Sequence, residues 1–348
     1  MDFEFLGLNS ALIGMSGALM EKGVHRTRRG KNIIELPSPA LIKIINPQNR
    51  NISIPERKWN YSLPYIESLW IALGWNNLND LPGKYVKNLY NFSDDGNTWR
   101  GGYGPRIRRY TGSSEQYEVG EYRNKSVNDF VVDQLEYVVK VLQADPSSRQ
   151  AIISIGDPIK DSFDEKGDLL KTVDYPCTRS LHFMINDGVL DLYTHMRSND
   201  LWWGFSAVNV PNFTLMQEYL SMILGVEMGA YYHIADNFHV YEPFFLKAKK
   251  LFDNNKHKLN RTISGDFMRR PWKKVQISFE EFEKEIRLLR ELEAHLYDDG
   301  DIGSLKPSTK SLFRDWFHVL EMKNIKTTNY QDVDNDSLRV ILQKEFGK

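Results

Sequence analysis

Several features that would define other protein classes are scarce or missing from this sequence. Cys177 is the only cysteine among 348 residues, so no internal disulfide can form. No run approaches 18 uninterrupted apolar residues, which argues against a membrane-spanning helix. The N-terminal stretch MDFEFLGLNSALIG lacks the basic start of a secretion signal. We therefore expect a cytoplasmic protein with no membrane partner.

The charge balance excludes a second group of functions. Lys and Arg number 45 and Asp and Glu number 46, so no global basic field attracts nucleic acid. Neither GxGxxG nor GxxxxGK[ST] occurs, so a nucleotide is not held by a glycine-rich loop. Any anionic ligand must be bound by a local cluster. The 41% hydrophobic and 12% aromatic content is typical of a folded globular protein.

Hydrophobic periodicity predicts the elements of an α+β fold. Helices are expected over 60–74, 127–143 and about 212–224, and a charged helix over 278–299 begins with a capping box at Ser278 and Glu281. Strands are expected over 149–155 and 229–241, with a hairpin over 178–198 that turns at 186–188. Cys177 therefore opens a hairpin. These strands follow one another along the chain and do not alternate regularly with helices. This order is typical of an α+β fold.

The surroundings of Cys177 decide how it is interpreted. A single intracellular cysteine is most often a small buried apolar residue. However, polar residues interrupt three segments that otherwise look like core, namely MRSND at 196–200, AVNVPNF around Asn209 and DNFHVYE at 236–242. Separately, Asp200 and Ser198 could cap a turn, and His239 could be a core histidine. Together with one cysteine, these residues favour an active site.

These motifs resemble those of the thymidylate synthase family, which also contains the pyrimidine nucleotide hydroxymethylases. The resemblance runs from about residue 26 to 245. Its pieces occur in family order: Arg29-Gly30, ESLWIALGWNN with Glu67, Tyr103-Gly104, DPSSRQ with Arg149, YPC with Cys177, MRSND with Arg197, Ser198 and Asp200, then Asn209, and HVY with His239 and Tyr241. The resemblance implies a mixed sheet that forms a homodimer interface, with helices on its other face. It also implies a catalytic core over 1–250, on which a mainly helical extension over 251–348 packs.

The resemblance assigns a nucleophile and a phosphate site. Cys177 would add as a thiolate to C6 of a pyrimidine nucleotide and so activate C5, and Arg197 is expected to lower the thiol pKa. The phosphate would be held by Arg197, Ser198, Arg29 and, from the other subunit, Arg149. Arg26 is a rival to Arg29, because HRTRRG contains three arginines.

The resemblance also assigns the base and sugar contacts. Asn209 would donate to O4 and accept from N3-H of uracil, whereas the family's cytidylate enzymes tend to have Asp there. One extra residue between Gly204 and Asn209 predicts a local bulge. His239 and Tyr241 would bind the 3'-hydroxyl, which leaves ribose and deoxyribose as alternatives.

The implied carbon donor is 5,10-methylenetetrahydrofolate, with no metal. Glu67, with Tyr103 and ordered water, would move protons at O4 and C5, which a carboxyl pKa raised by burial favours. Asp200 would anchor the pterin ring of the folate, and Glu67 is also expected beside it.

The identity of the product depends on what attacks the exocyclic methylene intermediate. Hydride from the folate gives a methyl group, and water gives a hydroxymethyl group. The methylating enzymes shelter the intermediate with tryptophans, at whose positions this chain has Asn88 and Asn91, with Trp99 displaced. Thr178 stands in place of the usual His, Gln150 in place of the second Arg, and the apolar C-terminal tail is not visible in ILQKEFGK. These departures favour hydroxymethylation of dUMP.

Three other functions stay open. The first is another reaction of the same family, either the reductive methylation of dUMP by a thymidylate synthase or the hydroxymethylation of a cytidylate. A nucleotide-binding protein that has lost turnover is the second, because of Gln150, Thr178 and the missing tail. Cysteine hydrolase chemistry is the third, but it needs a base beside the thiol. His182 lies five residues along a strand and so faces the opposite side.

Overall fold

The computed structural model describes residues 1–111, 131–259, 266–268 and 275–346. These residues form twelve strands: β1 Asp2–Phe5, β2 Val24–Arg28, β3 Lys31–Glu35, β4 Ala40–Ile44, β5 Tyr110–Thr111, β6 Val131–Val132, β7 Ile152–Ser154, β8 Thr178–Asn186, β9 Val189–Met196, β10 Asn199–Asp200, β11 Glu227–Ala235 and β12 Phe238–Tyr241. They also form eleven α-helices: α1 Leu8–Lys22, α2 Leu63–Ala72, α3 Pro82–Tyr85, α4 Tyr103–Arg108, α5 Gln134–Ala144, α6 Pro158–Asp161, α7 Val210–Leu224, α8 Phe245–Asn255, α9 Phe279–Asp298, α10 Ser311–Ile325 and α11 Asp336–Phe346. The α+β composition agrees with the sequence prediction.

A six-stranded sheet organises the core. Its strand order is β1-β4-β11-β9-β8-β7, and it is mixed, because β1 pairs with β4 and β9 with β11 in parallel while the other pairs are antiparallel. The cross-strand row Phe183, Leu192, Tyr231 and Ile44 is fully buried on the face that α7 covers. On the opposite face the rings of Tyr193 and Tyr232 stack with centroids 4.5 Å apart.

A smaller sheet with the order β10-β12-β3-β2 carries several of the predicted site residues. Its parallel β10–β12 pair sets Asp200 opposite His239. The turn between β2 and β3 consists of Arg29 and Gly30, whose φ angles are 49° and 73°. Two consecutive positive φ angles are typical of a tight hairpin turn. The small sheet therefore brings the arginine turn and the histidine strand to one place.

Most predicted elements are confirmed. The hairpin turns at Asp187 and Gly188, both with positive φ, and Cys177 directly precedes its first strand. Helices α2 and α7 lie within or near their predicted ranges, and Gly225 closes α7 at φ 67°. The capping box of α9 at Ser278 and Glu281 is present, with the Ser278 hydroxyl accepting from the Glu281 amide at 3.0 Å.

Two predicted boundaries are wrong. The helix predicted over 127–143 begins at Gln134, because the Asp133 carboxylate caps it and 131–132 pair as a strand; residues 127–130 lie outside the described residues. The strand predicted over 229–241 is two strands, β11 and β12, which belong to different sheets. The break falls at Asp236 and Asn237, two adjacent polar residues between the apolar residues Ala235 and Phe238.

Helices α9 and α10 contact the elements that carry the predicted site residues, and α11 packs on α10. Helix α2 is buried along its length and contacts α7 on one side and α9 and α10 on the other. The Trp316 indole of α10 donates to the Tyr65 carbonyl oxygen of α2 at 2.9 Å. Across the described residues, every helix is too short or too polar to span a membrane.

Candidate active site

Cys177 lies beside the guanidinium group of Arg197. The Arg197 Nη2–Cys177 Sγ distance is 3.6 Å, and the Arg197 amide donates to the Cys177 carbonyl oxygen at 3.0 Å. The same guanidinium donates to the carbonyl oxygens of Pro176 and Tyr175, each at 3.0 Å. These bonds hold the charge in place, because the fork of donors on an arginine cannot satisfy them in other orientations. The structure therefore brings the predicted thiol and its predicted cation together.

The expected net lowering of the thiol pKa is not found in the protein alone. Burial raises the pKa of Cys177 above its ordinary value, and this effect outweighs the lowering by Arg197 and, more weakly, by Arg29. Asp200 and Asp174 act in the same direction as burial. The prediction named the right cation but neglected desolvation, which disfavours the charged form of a mostly buried thiol.

The arginine turn between β2 and β3 separates Arg29 from its rival Arg26. The buried carboxylate of Glu35 lies 3.7 Å from Arg26 Nε and accepts from Arg28 at 2.7 Å. Among the described residues Arg29 has no ion pair, although its charge affects the pKa of both Cys177 and Tyr241. Arg29 is thus the arginine of HRTRRG whose charge is directed at the thiol.

Two other predicted phosphate ligands lie in different settings. Ser198 follows Arg197 directly, and its hydroxyl is 3.5 Å from Asn237 Oδ1. Arg149 lies in an exposed turn before β7, as does Gln150. Arg149 does not contact the Cys177 of its own chain. The prediction that Arg149 is donated to the other subunit requires this separation.

Asn209 ends the segment with the extra residue. Residues Leu201–Asn209 form a π-helix, and the Val210 amide donates to the Phe205 carbonyl oxygen five positions back. A π-turn holds one residue more than an α-turn, so the predicted bulge is present. Asn209 is 8% exposed, and its amide nitrogen lies 3.5 Å from Met196 Sδ. A sulfur is a weak acceptor, so this amide can exchange it for a stronger partner.

Glu67 is a buried carboxyl on α2. Burial raises its pKa to about 7, and a hydrogen bond from Asn212 opposes the shift. Residue Glu67 is 7% exposed and forms no ion pair among the residues that the structure describes. A carboxyl with this pKa can donate or accept a proton near neutral pH, as the predicted role requires.

Tyr103 begins α4 and reaches the start of β8. Its hydroxyl oxygen lies 2.9 Å from Thr178 Oγ1 and 3.4 Å from the Thr178 amide nitrogen. Its ring stacks on Phe213, with centroids 6.0 Å apart. Burial raises its pKa, and the charges of Cys177 and Glu67 act in the same direction. The phenol therefore stays protonated.

His239 and Tyr241 lie on β12, opposite Asp200. Their rings meet edge to face with centroids 4.8 Å apart. Burial lowers the pKa of His239, so the ring is neutral, and its buried Nδ1 has no partner among the described residues. A buried, unpaired ring nitrogen can bond to a ligand hydroxyl, as predicted for the sugar contact.

Asp200 has the capping role that the sequence offered as one interpretation. Its carboxylate accepts from the amides of Trp202, Trp203 and Gly204 at 2.8–2.9 Å and so caps the π-helix. A carboxylate has about four acceptor positions, so one stays available. Trp203 beside it is 55% exposed and meets Phe244 edge-on at 6.0 Å. An exposed aromatic ring next to a carboxylate suits a flat heterocycle such as a pterin.

Arg57 is a neighbour that the sequence did not point to. Its guanidinium lies 4.7 Å from the centre of the Trp202 ring and donates to the Trp202 carbonyl oxygen at 2.7 Å. Burial lowers its pKa to about 10, with Asp200 opposing the shift. No motif marks Arg57 in the sequence, because its position depends on how the segment before α2 packs on the π-helix.

The segment before Tyr103 presents a polar surface. Asn88 and Asn91 are exposed within Lys87–Phe92, a 3₁₀ helix. The Trp99 indole donates to the Leu89 carbonyl oxygen at 3.3 Å, and its ring meets Trp70 edge-on at 5.5 Å. Trp99 is therefore packed against the core.

Among the described residues, no three His, Cys, Asp or Glu side chains are grouped to hold a metal ion.

Comparisons with known proteins indicate the family of this chain. The sequence model of the family described as "Thymidylate synthase" matches residues 17–290. A "Deoxyuridylate hydroxymethyltransferase" of Bacillus phage SP01 is 37% identical over 226 residues, which are 64% of this chain and 54% of the relative. A protein of the same name from Pseudomonas phage M6 is 30% identical over 246 residues, or 70% of this chain and 63% of the relative. The "Thymidylate synthase 1" of Bacillus subtilis strain 168 is 28% identical over 206 residues, covering 58% of this chain and 66% of the relative.

The chain spans between half and two thirds of the length of these phage relatives. The family match covers most of the chain and contains all of the predicted site residues. The chain belongs to the thymidylate synthase family.

Proposed function

We propose that this protein transfers a one-carbon unit from 5,10-methylenetetrahydrofolate to C5 of dUMP and that water completes the product as 5-hydroxymethyl-dUMP. The observation that carries the proposal is the 3.6 Å contact between Arg197 Nη2 and the single cysteine sulfur, Cys177 Sγ. An arginine in this position stabilises the thiolate and binds an anion at the same time. Covalent addition to C6 needs the first property, and a nucleotide phosphate needs the second.

The remaining residues take roles that their surroundings support. Arg29, which is free of Glu35, binds the phosphate with Arg197 and Ser198, and Asn209 reads uracil. His239 and Tyr241 bind the 3'-hydroxyl. Glu67, with a pKa of about 7, exchanges protons at O4 together with Tyr103. A single reactive thiol suits a reducing cytoplasm.

The folate lies, in this proposal, against the exposed ring of Trp203, with Asp200 near its pterin. The fit rests on the acceptor position that the three amide bonds leave on Asp200. When bound, the folate supplies the methylene carbon. The chain's own residues position it: Arg57 and Asp200 hold the π-helix, and Trp203 offers the flat surface.

Water, and not hydride, is the proposed final reactant because the wall ahead of Tyr103 is polar. Asn88 and Asn91 are exposed there, and Trp99 packs against Trp70. Amide groups hold water by hydrogen bonds, whereas an aromatic wall excludes it. The names of the phage relatives at 37% and 30% identity point to the same product.

The protein is proposed to act as a homodimer through the face of the six-stranded sheet that carries Tyr193 and Tyr232. The stacked pair and the exposed Arg149 at the sheet end support this arrangement. The division into a core over 1–250 and an extension over 251–348 also stays a proposal. In it, the extension supports α2, and so Glu67, through contacts such as Trp316 with Tyr65.

The test is the reaction of dUMP with methylenetetrahydrofolate in ¹⁸O-labelled water. We expect 5-hydroxymethyl-dUMP that carries the label, with tetrahydrofolate as the second product. A methyl product together with dihydrofolate would identify a thymidylate synthase instead. Cys177→Ala is the matched control and should form no product while still binding dUMP. A wild-type protein that binds dUMP but forms neither product nor a covalent complex with 5-fluoro-dUMP and the folate would be a nucleotide-binding protein.

A further inference from the structure

Thr178, directly after Cys177, makes two contacts to one oxygen. Its hydroxyl lies 2.9 Å and its amide nitrogen 3.4 Å from the hydroxyl oxygen of Tyr103. The side chain is fully buried, and a register shift between Thr178 and Ser180 interrupts the β8–β9 ladder at this point. Such a bulge re-aims the side chains next to it. Thr178 is therefore aimed at α4 by an irregularity of the strand.

The direction of the hydrogen bond follows from counting donors. A peptide amide can only donate, so the Thr178 N–H points at the Tyr103 oxygen. The Thr178 hydroxyl is buried, and among the described residues Tyr103 is the one partner found for it. A buried hydroxyl proton left without an acceptor carries a free-energy cost, so this hydroxyl also donates to Tyr103. Both lone pairs of the phenol oxygen are then occupied.

The phenol hydrogen must consequently point away from Thr178. Tyr103 stays protonated, because burial and the charges of Cys177 and Glu67 raise its pKa. Both of those groups are close enough to act on its charge. The hydrogen thus lies on the side of the oxygen away from Thr178, in a region where the thiol and the carboxyl both influence the phenol.

We propose that Thr178 is a positioning residue that sets the Tyr103 phenol as a hydrogen-bond donor into the active site. The inference rests on the proposed function. When the Cys177 sulfur bonds to C6, the electron pair of the C5–C6 double bond moves toward O4 as an enolate. A phenol aimed by Thr178 donates to this oxygen, or to a water beside it, without needing to reorient. The same phenol oxygen has no lone pair left to accept the C5 proton, which must go to another group.

A histidine at this position would behave differently. Its ring changes charge near neutral pH, and its neutral form has one donor and one acceptor. The threonine hydroxyl keeps the same donor over the working pH range. The Tyr103 orientation in this chain should therefore be independent of pH.

The test compares Thr178→Val, which has the same shape without the hydroxyl, with Thr178→Ser, which keeps it. We expect valine to lower kcat about 10- to 100-fold, with the KM and Kd for dUMP nearly unchanged, and serine to recover most of the rate. A second assay omits the folate and measures, by mass spectrometry, how fast the C5 hydrogen of dUMP exchanges with deuterated water. This exchange should be slower in the valine variant. If valine impairs folding, Thr178→Ala replaces it in the same comparison.

A valine variant with wild-type kcat and exchange rate would overturn the inference, and so would a serine variant that is as slow as valine. A double-mutant comparison provides a further check, because the valine change should lose its effect when Tyr103 is already Phe. Failure of the proposed function looks different. In that case the wild-type protein itself neither exchanges the C5 hydrogen nor converts dUMP.

Discussion

The Cys177 sulfur and the Arg197 guanidinium lie 3.6 Å apart, and three backbone carbonyl contacts keep them there. Arg197 is the largest influence that lowers the pKa of Cys177, against a larger rise from burial. The thiol of the free protein is therefore less acidic than an ordinary cysteine thiol.

Replacing Arg197 with Gln should raise the pKa of Cys177. The rate of alkylation by iodoacetamide as a function of pH measures this value, and it reports on one residue because no other cysteine exists. Arg29→Gln should cause a smaller rise, since its lowering effect is the weaker one. Arg287→Gln on the exposed face of α9 is the control and should leave the profile unchanged. An unchanged midpoint in the Arg197 variant would show that its charge does not reach the sulfur.

Asn209→Asp should shift the preference from dUMP toward dCMP. An ionised carboxylate can accept from the cytosine amino group but cannot donate to O4 of uracil. We expect kcat/KM for dUMP to fall by about 10²-fold or more, while kcat/KM for dCMP rises. Competition between the two nucleotides, read by mass spectrometry of the products, measures the ratio. A variant that still prefers dUMP would move the base-reading role to another residue.

Glu67→Gln should remove one limb of the pH dependence. Burial raises the Glu67 pKa to about 7, so the carboxyl is protonated and able to donate below that pH and ionised above it. The thiolate fraction of Cys177, whose pKa is raised, grows over the same range, so the kcat/KM of the wild-type protein should rise with pH below about 7 and level off above it. The glutamine variant should be slower by about 10²-fold or more, and its kcat/KM should keep rising through about pH 7. A plateau that persists in the variant would belong to a different group.

Mixing two inactive variants should restore activity if Arg149 acts across a homodimer. One subunit carries Cys177→Ala and the other Arg149→Ala, so that each mixed dimer contains one intact site and one doubly altered site. Random exchange makes half of the dimers mixed, so about a quarter of wild-type activity should return. The control pairs Cys177→Ala with Asn209→Ala, which alter the same site of each subunit. If neither mixture regains activity, Arg149 serves its own subunit.

Asp315 should make folding stability depend on pH. Its carboxylate accepts from the Asp334 and Asn335 amides, each at 2.8 Å, and burial raises its pKa to about 7. Because this value lies above that of the unfolded chain, the favourable contribution is complete below about pH 4 and is lost as pH rises to about 7. Urea unfolding of Asp315→Asn between pH 5 and 8 should therefore show a shallower loss of stability than wild type.

The matched alanine variant separates the charge from the hydrogen bonds. Asp315→Ala leaves two amides without their acceptor and should lower the free energy of unfolding by about 2 kcal/mol at every pH. Asp168→Asn on an exposed loop serves as the control for a simple change of charge. An Asp315→Asn variant with the wild-type pH slope would assign that slope to other groups, Glu67 among them.

Local patterns in the sequence determined most of the elements and predicted the residues of the candidate site. The Asp187-Gly188 turn, the Ser278-Glu281 capping box and the extra residue before Asn209 each act over a few positions, so each could be predicted and was found. The motifs around Cys177, Arg197 and His239 predicted the family because residue type and order are properties of the chain alone.

Tertiary structure decided what no local pattern contains. Burial of Cys177 depends on every element packed around it, and it reversed the expected direction of the thiol pKa. The proposal of Arg29 over Arg26 rests on where Glu35 lies. The segment predicted as one strand is divided between two sheets as β11 and β12. The bond from Thr178 to Tyr103 joins residues 75 positions apart. Desolvation and long-range contacts sum over the whole fold, whereas turns and caps depend on neighbours along the chain.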